Sequence, residues 1–265
     1  MEKIPVSVVV LTKNEEANIA ECLASIKGWA DEIIVVDDFS TDKTTELAQK
    51  YTDKILINKM KVEGAHRNWA YAQAKNEWVL SLDADEQVTR ELKEEIDRVL
   101  ADTDCVCFSI PLRNYIGNYW VRYGGWYPAG KVRLFKKNKF KYEEVEVHPR
   151  VFTEGKCGFL KSDIIHKGYP DFEHFLASVN RQTTLEARKW VNTSRKMSLL
   201  KALWRTIDRF FRIFIGKKGY KDGLVGFMVA LFASLYQILS YAKYRQLQEE
   251  RLAPLEIVPA KSGDV

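Results

Sequence analysis

Apolar runs and amphipathic stretches alternate along the first part of the chain. Short runs rich in Val, Ile and Leu predict buried strands at Ser7–Thr12, Glu32–Asp38, Lys54–Asn58 and Trp78–Leu82. Between them, Asn14 is expected to cap a first helix whose apolar face carries Ile19, Leu23 and Ile26. Further helices are predicted at Thr44–Tyr51 and Ala65–Lys75. Strand and helix in alternation predict an α/β fold with a parallel sheet of right-handed βαβ units.

Beyond residue 100 the pattern changes to strands without intervening helices. Cys105–Asn114 and Asp163–His166 predict single strands. Val132–Phe135 and Phe140–Glu144 flank a lysine-rich tetrapeptide and predict a hairpin. We expect this half to add antiparallel or mixed strands to the sheet and to form one wall of the ligand crevice.

From Phe172 onward the pattern predicts helices. Ser198–Ile215 carries apolar residues three and four positions apart, beside a basic stripe at Lys201, Arg205, Arg209 and Arg212. A basic amphipathic helix with Trp and Phe on its apolar side indicates a helix in a membrane interface; the alternative is a core-packing helix with a solvated basic face. Leu224–Ala242 approaches the ~20 apolar residues that cross a bilayer. Ser and Gln interrupt it, which favours a buried or interface-embedded helix.

Composition and charge are those of a globular protein with one strongly basic segment. The chain has 265 residues, 46% hydrophobic and 29% charged, with a net charge of +5. From Arg188 to Lys221, eleven basic residues stand against a single acid, Asp208. This segment favours a polyanionic partner, and its Trp and Phe content favours anionic lipid over nucleic acid, the alternative. We therefore expect peripheral association with the inner membrane and no nucleic-acid partner.

Cysteine usage points to a reducing compartment. Cys22, Cys105, Cys107 and Cys157 have no CxxC spacing and are too few for a disulfide scaffold. The chain runs into its first strand without an apolar signal region. We therefore expect no zinc site and a cytoplasmic setting.

Acidic residues stand at the ends of two predicted strands. Asp37 and Asp38 end the second strand, and Asp83 and Asp85 follow the fourth. Because the carboxyl ends of parallel strands open into one crevice, we expect these acids to converge there. Two carboxylates one residue apart suit a hard divalent cation shared with a substrate diphosphate; the alternative is a strand end before an acidic helix capped by Thr89. The chain has no Gly-x-Gly-x-x-Gly after the first strand and no Walker loop, which disfavours the usual dinucleotide and P-loop sites.

Four stretches, in their order and spacing, resemble the glycosyltransferase family 2 enzymes of the GT-A fold. They are VSVVVLTKNEE from Val6, IIVVDDFSTD from Ile33, GAHRNWA from Gly64 and LSLDADE from Leu80. YPAGKVRLF from Tyr127, the lone His166 and DGLVGF from Asp222 are similar to the bacterial branch that adds sugars to the lipopolysaccharide core. The resemblance implies a mixed sheet flanked by helices, with a helical, basic and amphipathic C-terminal extension here. It also implies a nucleotide diphosphate sugar as donor.

The resemblance implies a role for particular positions. The nucleotide-sugar site would be formed by Thr12, Glu15, Asp37, Asp38, Arg67 and Asp83. Asp38 would accept from the base edge or the ribose, Arg67 would contact the base or its phosphates, and Asp83 would face the ribose. Asp85, together with Asp83, would hold Mg²⁺ or Mn²⁺. Arg133 alternates with apolar neighbours, so we expect it to face the crevice and bind the diphosphate or an anionic acceptor.

An inverting transfer also needs a base that takes the proton of the acceptor hydroxyl. The corresponding region is EEVEVHPR from Glu143. Where the lipopolysaccharide branch has His-Glu this chain has His148 followed by Pro, and where that branch has Pro-Asp it has Pro128 followed by Ala. We assign the base to Glu146, with Glu144 and His148 as alternatives; a solvated hairpin is the other interpretation. For His148 and His166, contact with phosphate or acceptor competes with a structural role.

The sequence thus predicts an inverting, metal-dependent glycosyltransferase acting on a lipid-linked acceptor, in lipopolysaccharide core or a related cell-envelope glycan. The alternatives are a polyprenyl-phosphate sugar transferase and a non-catalytic nucleotide-sugar-binding membrane protein. We expect a GT-A domain over 1–170, a membrane-associating helical region over 171–250 and a flexible tail over 251–265.

Overall fold

The computed structural model describes residues 4–145 and 150–252 of the chain. The chain forms two compact units, Met1–Pro170 and Asp171–Val265. Of the tail expected over 251–265, only the first two residues are described, and these end the last helix.

The first unit alternates strands and helices before becoming mainly β. Its strands are β1 (Ile4–Thr12), β2 (Ala30–Asp37), β3 (Ile55–Ile57), β4 (Trp78–Asp83), β5 (Glu86–Val88), β6 (Cys107–Ile116), β7 (Tyr119–Trp120), β8 (Ala129–Lys136), β9 (Phe140–Tyr142), β10 (Val151–Thr153), β11 (Cys157–Phe159) and β12 (Ile164–Tyr169). Its helices are α1 (Ile19–Ile26), α2 (Thr44–Ala48), α3 (Glu63–Ala72) and α4 (Arg90–Ala101), with a short 3₁₀ turn at Lys137–Lys139. The strands and helices predicted through residue 100 are all present, with bounds shifted by up to a few residues.

Ten of these strands form one mixed sheet, in the order β3-β2-β1-β4-β8-β6-β12-β5, with β7 and β11 also paired to β6. β3, β2, β1 and β4 run parallel. β8 is antiparallel to both β4 and β6, and β12 is parallel to β6. The mixed α/β sheet flanked by helices that the sequence predicts is therefore confirmed.

β1 lies at the centre and is buried on both faces, which explains its continuous run of β-branched residues. Val8 and Val10 belong to the core cluster that includes Leu23 of α1 and Ile96 of α4. Val9 points the other way, into the cluster that includes Tyr71 of α3. The helices on the two faces thus hold the strand ends in a fixed position.

The hairpin predicted around the lysine-rich tetrapeptide is wrong. β8 pairs with β4 and β6 inside the large sheet, whereas β9 pairs with β10 in a separate two-stranded ribbon. The 3₁₀ turn at Lys137–Lys139 separates them, and the Lys137 amide donates to the Glu77 carbonyl just before β4. Pairing to a distant strand therefore replaces pairing across the turn.

Two local predictions have different outcomes. Thr89 caps α4, since its side chain accepts from the Leu92 amide, as predicted. Asn14 does not cap α1, which begins at Ile19. It adopts a left-handed conformation (φ 52°) and accepts from the Thr41 amide through its side chain.

Cys107 and Cys157 form a disulfide, which runs against the reducing setting expected from cysteine usage. They are direct neighbours in the parallel pairing of β6 with β11, which only the folded sheet reveals. Cys22 and Cys105 are free and buried.

The second unit is helical in its described part. It contains α5 (Phe172–Asn192), α6 (Leu199–Phe211), a π-helical turn at Arg212–Gly216, a 3₁₀ turn at Gly219–Asp222 and α7 (Gly223–Leu252). α7 packs against α5 and α6, and Trp190 with Tyr244 forms part of its small core. The helical stretch Gly219–Glu250 is long enough and apolar enough to cross a membrane. Core helices of soluble proteins meet the same two criteria.

One face of α6 exposes large apolar side chains to solvent. This face, here called the α6 apolar face, consists of Leu200, Leu203, Trp204, Ile207 and Phe211. Leu200 is 80% exposed and Trp204 69% exposed. Contiguous apolar surface of this kind marks an interaction surface more often than it marks an ordinary solvated helix.

Candidate active site

The ends of three parallel strands meet at one edge of the sheet. In the strand register, Thr12 at the end of β1 pairs with Asp37 of β2, and Leu11 pairs with Asp83 of β4. Next to these ends lies a cavity of about 340 Å³, here called the donor cavity. Six residues that the sequence predicts for donor or metal line it: Thr12, Glu15, Asp38, Arg67, Asp83 and Asp85.

The loops after β1 and β2 are tied together beside this cavity. The Asn14 amide donates to Ser40 Oγ at 2.8 Å, and the Asn14 side-chain oxygen accepts from the Thr41 amide at 2.8 Å. Asp37 is fully buried, and its carboxylate accepts from the Ser40 amide at 2.8 Å and from the Ser40 hydroxyl. Asp37 therefore shapes the loop and does not line the donor cavity.

Asp38 points into the donor cavity and is held by three donors. Lys13 Nζ lies 2.9 Å from its Oδ2, Lys59 Nζ lies 3.3 Å from its Oδ1, and the Met60 amide donates to Oδ1 at 3.0 Å. Burial acts to raise the pKa of Asp38, but the hydrogen bonds from Lys13 and Met60 outweigh it and hold the pKa below its usual value. Asp38 is therefore an ionised acceptor near neutral pH.

Asp83 lies between two arginines. Arg67 Nη2 is 3.2 Å from its Oδ1 and Arg133 Nη2 is 2.6 Å from its Oδ2. Arg133 also pairs with Glu86, whose second carboxylate oxygen accepts from the Asp83 amide at 3.0 Å. Burial alone would raise the pKa of Asp83, but the charges of Arg133 and Arg67 hold it well below its usual range.

This network is almost wholly removed from water. Arg133 is 2% exposed and Glu86 is fully buried. Burial raises the pKa of Glu86, which the charge of Arg133 opposes. Arg133 does not line the donor cavity, so it acts on Asp83 and Glu86 and not directly on a ligand. Arg133 was expected to face the crevice and bind the diphosphate or an anionic acceptor, whereas in the structure it pairs with Asp83 and Glu86 beneath the cavity lining.

Asp85 and His166 form the other end of the donor cavity. His166 Nε2 lies 3.2 Å from Asp85 Oδ2, and His166 Nδ1 lies 2.7 Å from Asn114 Oδ1. Burial acts to lower the pKa of His166, but its hydrogen bond with Asp85 raises the pKa overall. Nearby, burial raises the pKa of Glu15. The structural role expected for His166 is thus combined with a place in the cavity wall.

Three residues lining the donor cavity carry buried polar atoms without a hydrogen-bond partner. They are Thr12 Oγ1, His66 Nδ1 and Arg67 Nη1. Buried polar groups in native proteins are nearly always paired, so such groups around one cavity indicate a site built for a polar ligand.

The described part of the chain contains no group of three or more His, Cys, Asp or Glu side chains arranged to hold a metal ion. Both oxygens of Asp83 accept from arginine, so Asp85, with His166 beside it, is the carboxylate of the Asp-x-Asp pair that is not held by arginine. These two side chains supply oxygen and nitrogen ligands, and a bound diphosphate would complete the shell. The site therefore fits a cation shared with substrate and not one held by protein alone.

The segment that carries the predicted base begins beside α3. A Cβ on Gly64 would lie 1.8 Å from the carbonyl oxygen of Glu143, so only glycine allows this close approach. Asn68 further fixes the segment by hydrogen bonds to both the amide and the carbonyl of Tyr142. Glu144 is exposed, pairs with Lys141 and does not line the donor cavity. Glu146 and His148 lie outside the described residues.

Sequence reasoning missed three residues of this site. His66 was present in the GAHRNWA stretch but looked like a helix residue of no special role. Glu86 follows the Asp-x-Asp pair directly, and its burial under Arg133 depends on β8 crossing next to β4. Asn114, which orients His166, has no signal in the sequence.

The glycosyltransferase family 2 model, "Glycosyl transferase family 2", matches residues 7–167. The chain therefore belongs to glycosyltransferase family 2. Its mixed sheet flanked by helices is the GT-A fold of a glycosyltransferase.

Individual relatives are similar over nearly the whole chain. The lipopolysaccharide core biosynthesis glycosyltransferase LpsC of Rhizobium meliloti is 26% identical, over 95% of this chain and 96% of its own. An uncharacterised glycosyltransferase of Rickettsia typhi is 28% identical, over 93% of this chain and 88% of its own. The crystal structure of S. aureus TarS 1–349 in complex with UDP is 17% identical, with a TM-score of 0.48, over 94% of this chain and 91% of that one.

Replacing Arg133 by Met should strongly destabilise the protein. The change leaves Glu86 buried without its cation and removes one partner of Asp83, and breaking a buried pair in this way costs about 3–5 kcal/mol. Urea unfolding followed by circular dichroism measures the loss. Arg90→Met, which breaks an exposed pair with Glu94, is the matched control and should change little. Equal stability of both variants would contradict the structural role of Arg133.

Proposed function

We propose that the protein is an inverting, metal-dependent glycosyltransferase. It moves a sugar from a nucleotide diphosphate sugar to a lipid-linked acceptor, in lipopolysaccharide core or a related cell-envelope glycan, at the cytoplasmic face of the inner membrane. The observation that carries the proposal is the donor cavity, in which Asp38, Asp83 and Asp85 meet beside unpartnered polar atoms of Thr12, His66 and Arg67. The similarity to a lipopolysaccharide core enzyme supports the acceptor class.

In this proposal the nucleoside lies at the Asp38 end and the diphosphate at the Asp85 end. Asp38, ionised and partly saturated by donors, accepts from the base or ribose. Arg67 lines the cavity and adds a positive charge there, while its Nε and Nη2 hold Glu63 and Asp83. Thr12 adds a hydroxyl without a partner. The cavity thus offers donors and acceptors along its whole length.

Mg²⁺ or Mn²⁺ would be held by Asp85 and His166 together with the diphosphate. When bound, the ion supplies positive charge that stabilises the leaving diphosphate. The paired arginines keep Asp83 ionised and in place at the start of the Asp-x-Asp turn, so that Asp85 keeps its position. Asn114 holds the ring of His166 from its other nitrogen.

The transfer needs one proton acceptor. The acceptor hydroxyl oxygen attacks the anomeric carbon, the bond to the diphosphate oxygen breaks, and a carboxylate takes the hydroxyl proton. We assign this role to Glu146. Support comes from the preceding residues, Glu143 and Glu144, whose backbone lies against the first turn of α3, the helix that also carries His66 and Arg67.

The C-terminal unit is proposed to bind the membrane surface. The α6 apolar face is exposed, and Lys201, Arg205 and Arg212 stand on the same helix or its π-helical continuation. An amphipathic helix of this composition inserts its apolar side chains at the headgroup boundary while its cations meet anionic lipid. Binding of this kind would bring the enzyme to the surface at which we propose that it meets a lipid-linked acceptor.

Asp85→Ala should abolish Mn²⁺-dependent nucleotide binding and turnover. The test is a screen of UDP- and GDP-sugars with Mn²⁺ and a membrane lipid extract, in which nucleotide release and nucleotide affinity are both measured. Asp53→Ala, at an exposed aspartate that does not line the donor cavity, is the control and should match the native protein. Release of neither UDP nor GDP from any donor, with no binding of either, would contradict the proposal, as would unchanged binding in Asp85→Ala.

Glu146→Gln should lower turnover by roughly a hundredfold or more, the usual contribution of a positioned base, while nucleotide affinity stays the same. Glu144→Gln is the matched control, because Glu144 is exposed and paired with Lys141. Single-turnover rates and UDP affinity separate the two effects. Full activity of Glu146→Gln, or loss of activity in Glu144→Gln or His148→Gln instead, would move the base elsewhere in the segment.

Replacing Leu200 and Trp204 by Glu together should reduce binding to vesicles that contain phosphatidylglycerol. Each large apolar side chain contributes about 1.5–3 kcal/mol when it is buried, so partitioning should fall more than about tenfold. Vesicle flotation measures it, with pure phosphatidylcholine vesicles for comparison. Leu176→Glu, on α5 and outside the α6 apolar face, is the control. Vesicle binding unaffected by the double change would contradict the proposed surface.

A further inference from the structure

The disulfide between Cys107 and Cys157 has no part in the chemistry proposed so far. It joins β6 to β11, and neither cysteine lines the donor cavity. The cytoplasmic face proposed for the enzyme is a reducing setting, in which a disulfide is usually transient and either catalytic or redox-sensing. Catalytic pairs have the CxxC spacing, whereas these two cysteines are 50 positions apart. Redox sensing is therefore the role that fits this bond.

The side chains of β11 contribute little to holding this strand on the sheet. The strand has three residues, of which Cys157 is exposed, Gly158 has no side chain, and Phe159 is 80% exposed. A Cβ at Gly158 would lie 2.5 Å from Cε1 of Phe108, so a larger residue would displace that ring. Because a short strand with few buried apolar contacts opens readily, the disulfide is a main constraint on β11.

The backbone holds β11 along one side only. The Val106 amide donates to the Lys156 carbonyl at 2.8 Å, and the Leu160 amide donates to the Ser109 carbonyl at 3.0 Å. Among the strands that the structure describes, β11 pairs with β6 alone. When the disulfide is broken, an edge strand with one neighbour remains, and such a strand separates more easily than an inner one.

Through β11 the chain returns from the β9–β10 ribbon to the large sheet. The ribbon is a separate two-stranded sheet, and in the described part of the chain β10 pairs with β9 alone. Val151 and Phe152 of β10 are both exposed, so β10 also buries little side-chain surface. Glu146, the proposed base, precedes β10 in the sequence. The disulfide thus holds β11 and, through it, the end of β10 that follows the stretch with the base.

We propose that Cys107 and Cys157 form a redox-sensitive switch, which keeps β10 and β11 in place when oxidised and releases them when reduced. The oxidised form turns over faster than the reduced form. Nucleotide affinity is the same in both, because neither β10 nor β11 lines the donor cavity. The effect on turnover rests on the proposed function, since it takes the stretch before β10 to supply the base.

The reductant is a dithiol, the chemical class of the thioredoxin active site. One of its thiolates attacks the sulfur of Cys157, the exposed partner, and the buried Cys107 leaves as a thiolate and takes up a proton. The second thiolate attacks the reductant's own sulfur in the mixed disulfide, so that Cys157 leaves, is protonated, and the dithiol becomes a disulfide. Two electrons pass from the dithiol to the protein, and a disulfide oxidant reverses both steps.

The test compares the oxidised and the reduced protein, each as the full chain in its folded state. Oxidised glutathione and dithiothreitol set the two states, and both reagents are removed under nitrogen before the assays with Mn²⁺. Thiol titration after denaturation identifies the state, because Cys22 and Cys105 are the free cysteines of the oxidised form. Hydrogen exchange of β10 and β11, nucleotide affinity and turnover are then measured in each state.

Two variants separate the disulfide from other effects of the reductant. Cys157→Ser cannot form the bond, and Cys105→Ala, at a buried free cysteine, is the matched control. Thermal unfolding checks that both variants are folded. Without any reductant, Cys157→Ser should behave like the reduced native protein and should respond no further to dithiothreitol. Cys105→Ala should respond to dithiothreitol as the native protein does.

Reduction should speed hydrogen exchange in β10 and β11 and lower turnover by roughly tenfold, since a displacement of about 1 Å can cost about a hundredfold. The affinity for UDP or GDP should not change. Free thiols at all four cysteines after oxidation, or a bond that dithiothreitol leaves intact in the folded protein, would overturn the switch. Hydrogen exchange unchanged by complete reduction would also overturn it. Absence of nucleotide binding and turnover in both states would overturn the proposed function, while hydrogen exchange would still decide on the switch.

Discussion

The donor cavity depends on the pairing of two arginines with Asp83. Arg67 reaches it from α3 and Arg133 reaches it from β8, so one carboxylate joins the helix and the antiparallel strand to the end of β4. Glu86 balances the charge of Arg133 and accepts from the Asp83 amide, which closes the Asp-x-Asp turn on itself. Because these charges are buried, each is stable only while its partners stay in place. The network thus sets the position of Asp85, and two of its members, Arg67 and Asp83, also line the donor cavity.

The local sequence pattern predicted the four parallel strands and the edge of the sheet at which their acidic ends lie. The four parallel strands were visible as runs of β-branched residues, and the rule that strand ends share one edge was enough to bring Asp38, Asp83 and Asp85 to one cavity. Family resemblance added Thr12, Glu15 and Arg67, which also line it. Asp37 and Asp38 are neighbours in sequence but their side chains face different ways. Asp37, at the end of β2, accepts from the turn that follows it, whereas Asp38 lines the donor cavity.

What the sequence did not reveal depends on pairing between distant segments. β8 lies between β4 and β6, so the expected hairpin with β9 does not form and Arg133 points into the interior, against Asp83 and Glu86. The contact of Cys107 with Cys157 and that of Asn114 with His166 arise in the same way, from strand neighbours about fifty positions apart in sequence. His66 lies in the GAHRNWA stretch, but nothing in the sequence indicated a role for it. The absence of a partner for its Nδ1 follows from the packing around the cavity. The local sequence pattern thus predicts where the site lies. The residues that fix its side chains come from the later strands β6, β8 and β12, whose pairing the pattern does not reveal.

A structure of the protein with UDP and Mn²⁺ bound tests most directly whether the strand ends form the donor site. We expect the diphosphate next to Asp85 and the nucleoside next to Asp38, both inside the cavity of about 340 Å³. Nucleotide bound instead in the larger cavity of about 700 Å³, whose lining includes Tyr71, Lys137 and Lys139, would contradict it.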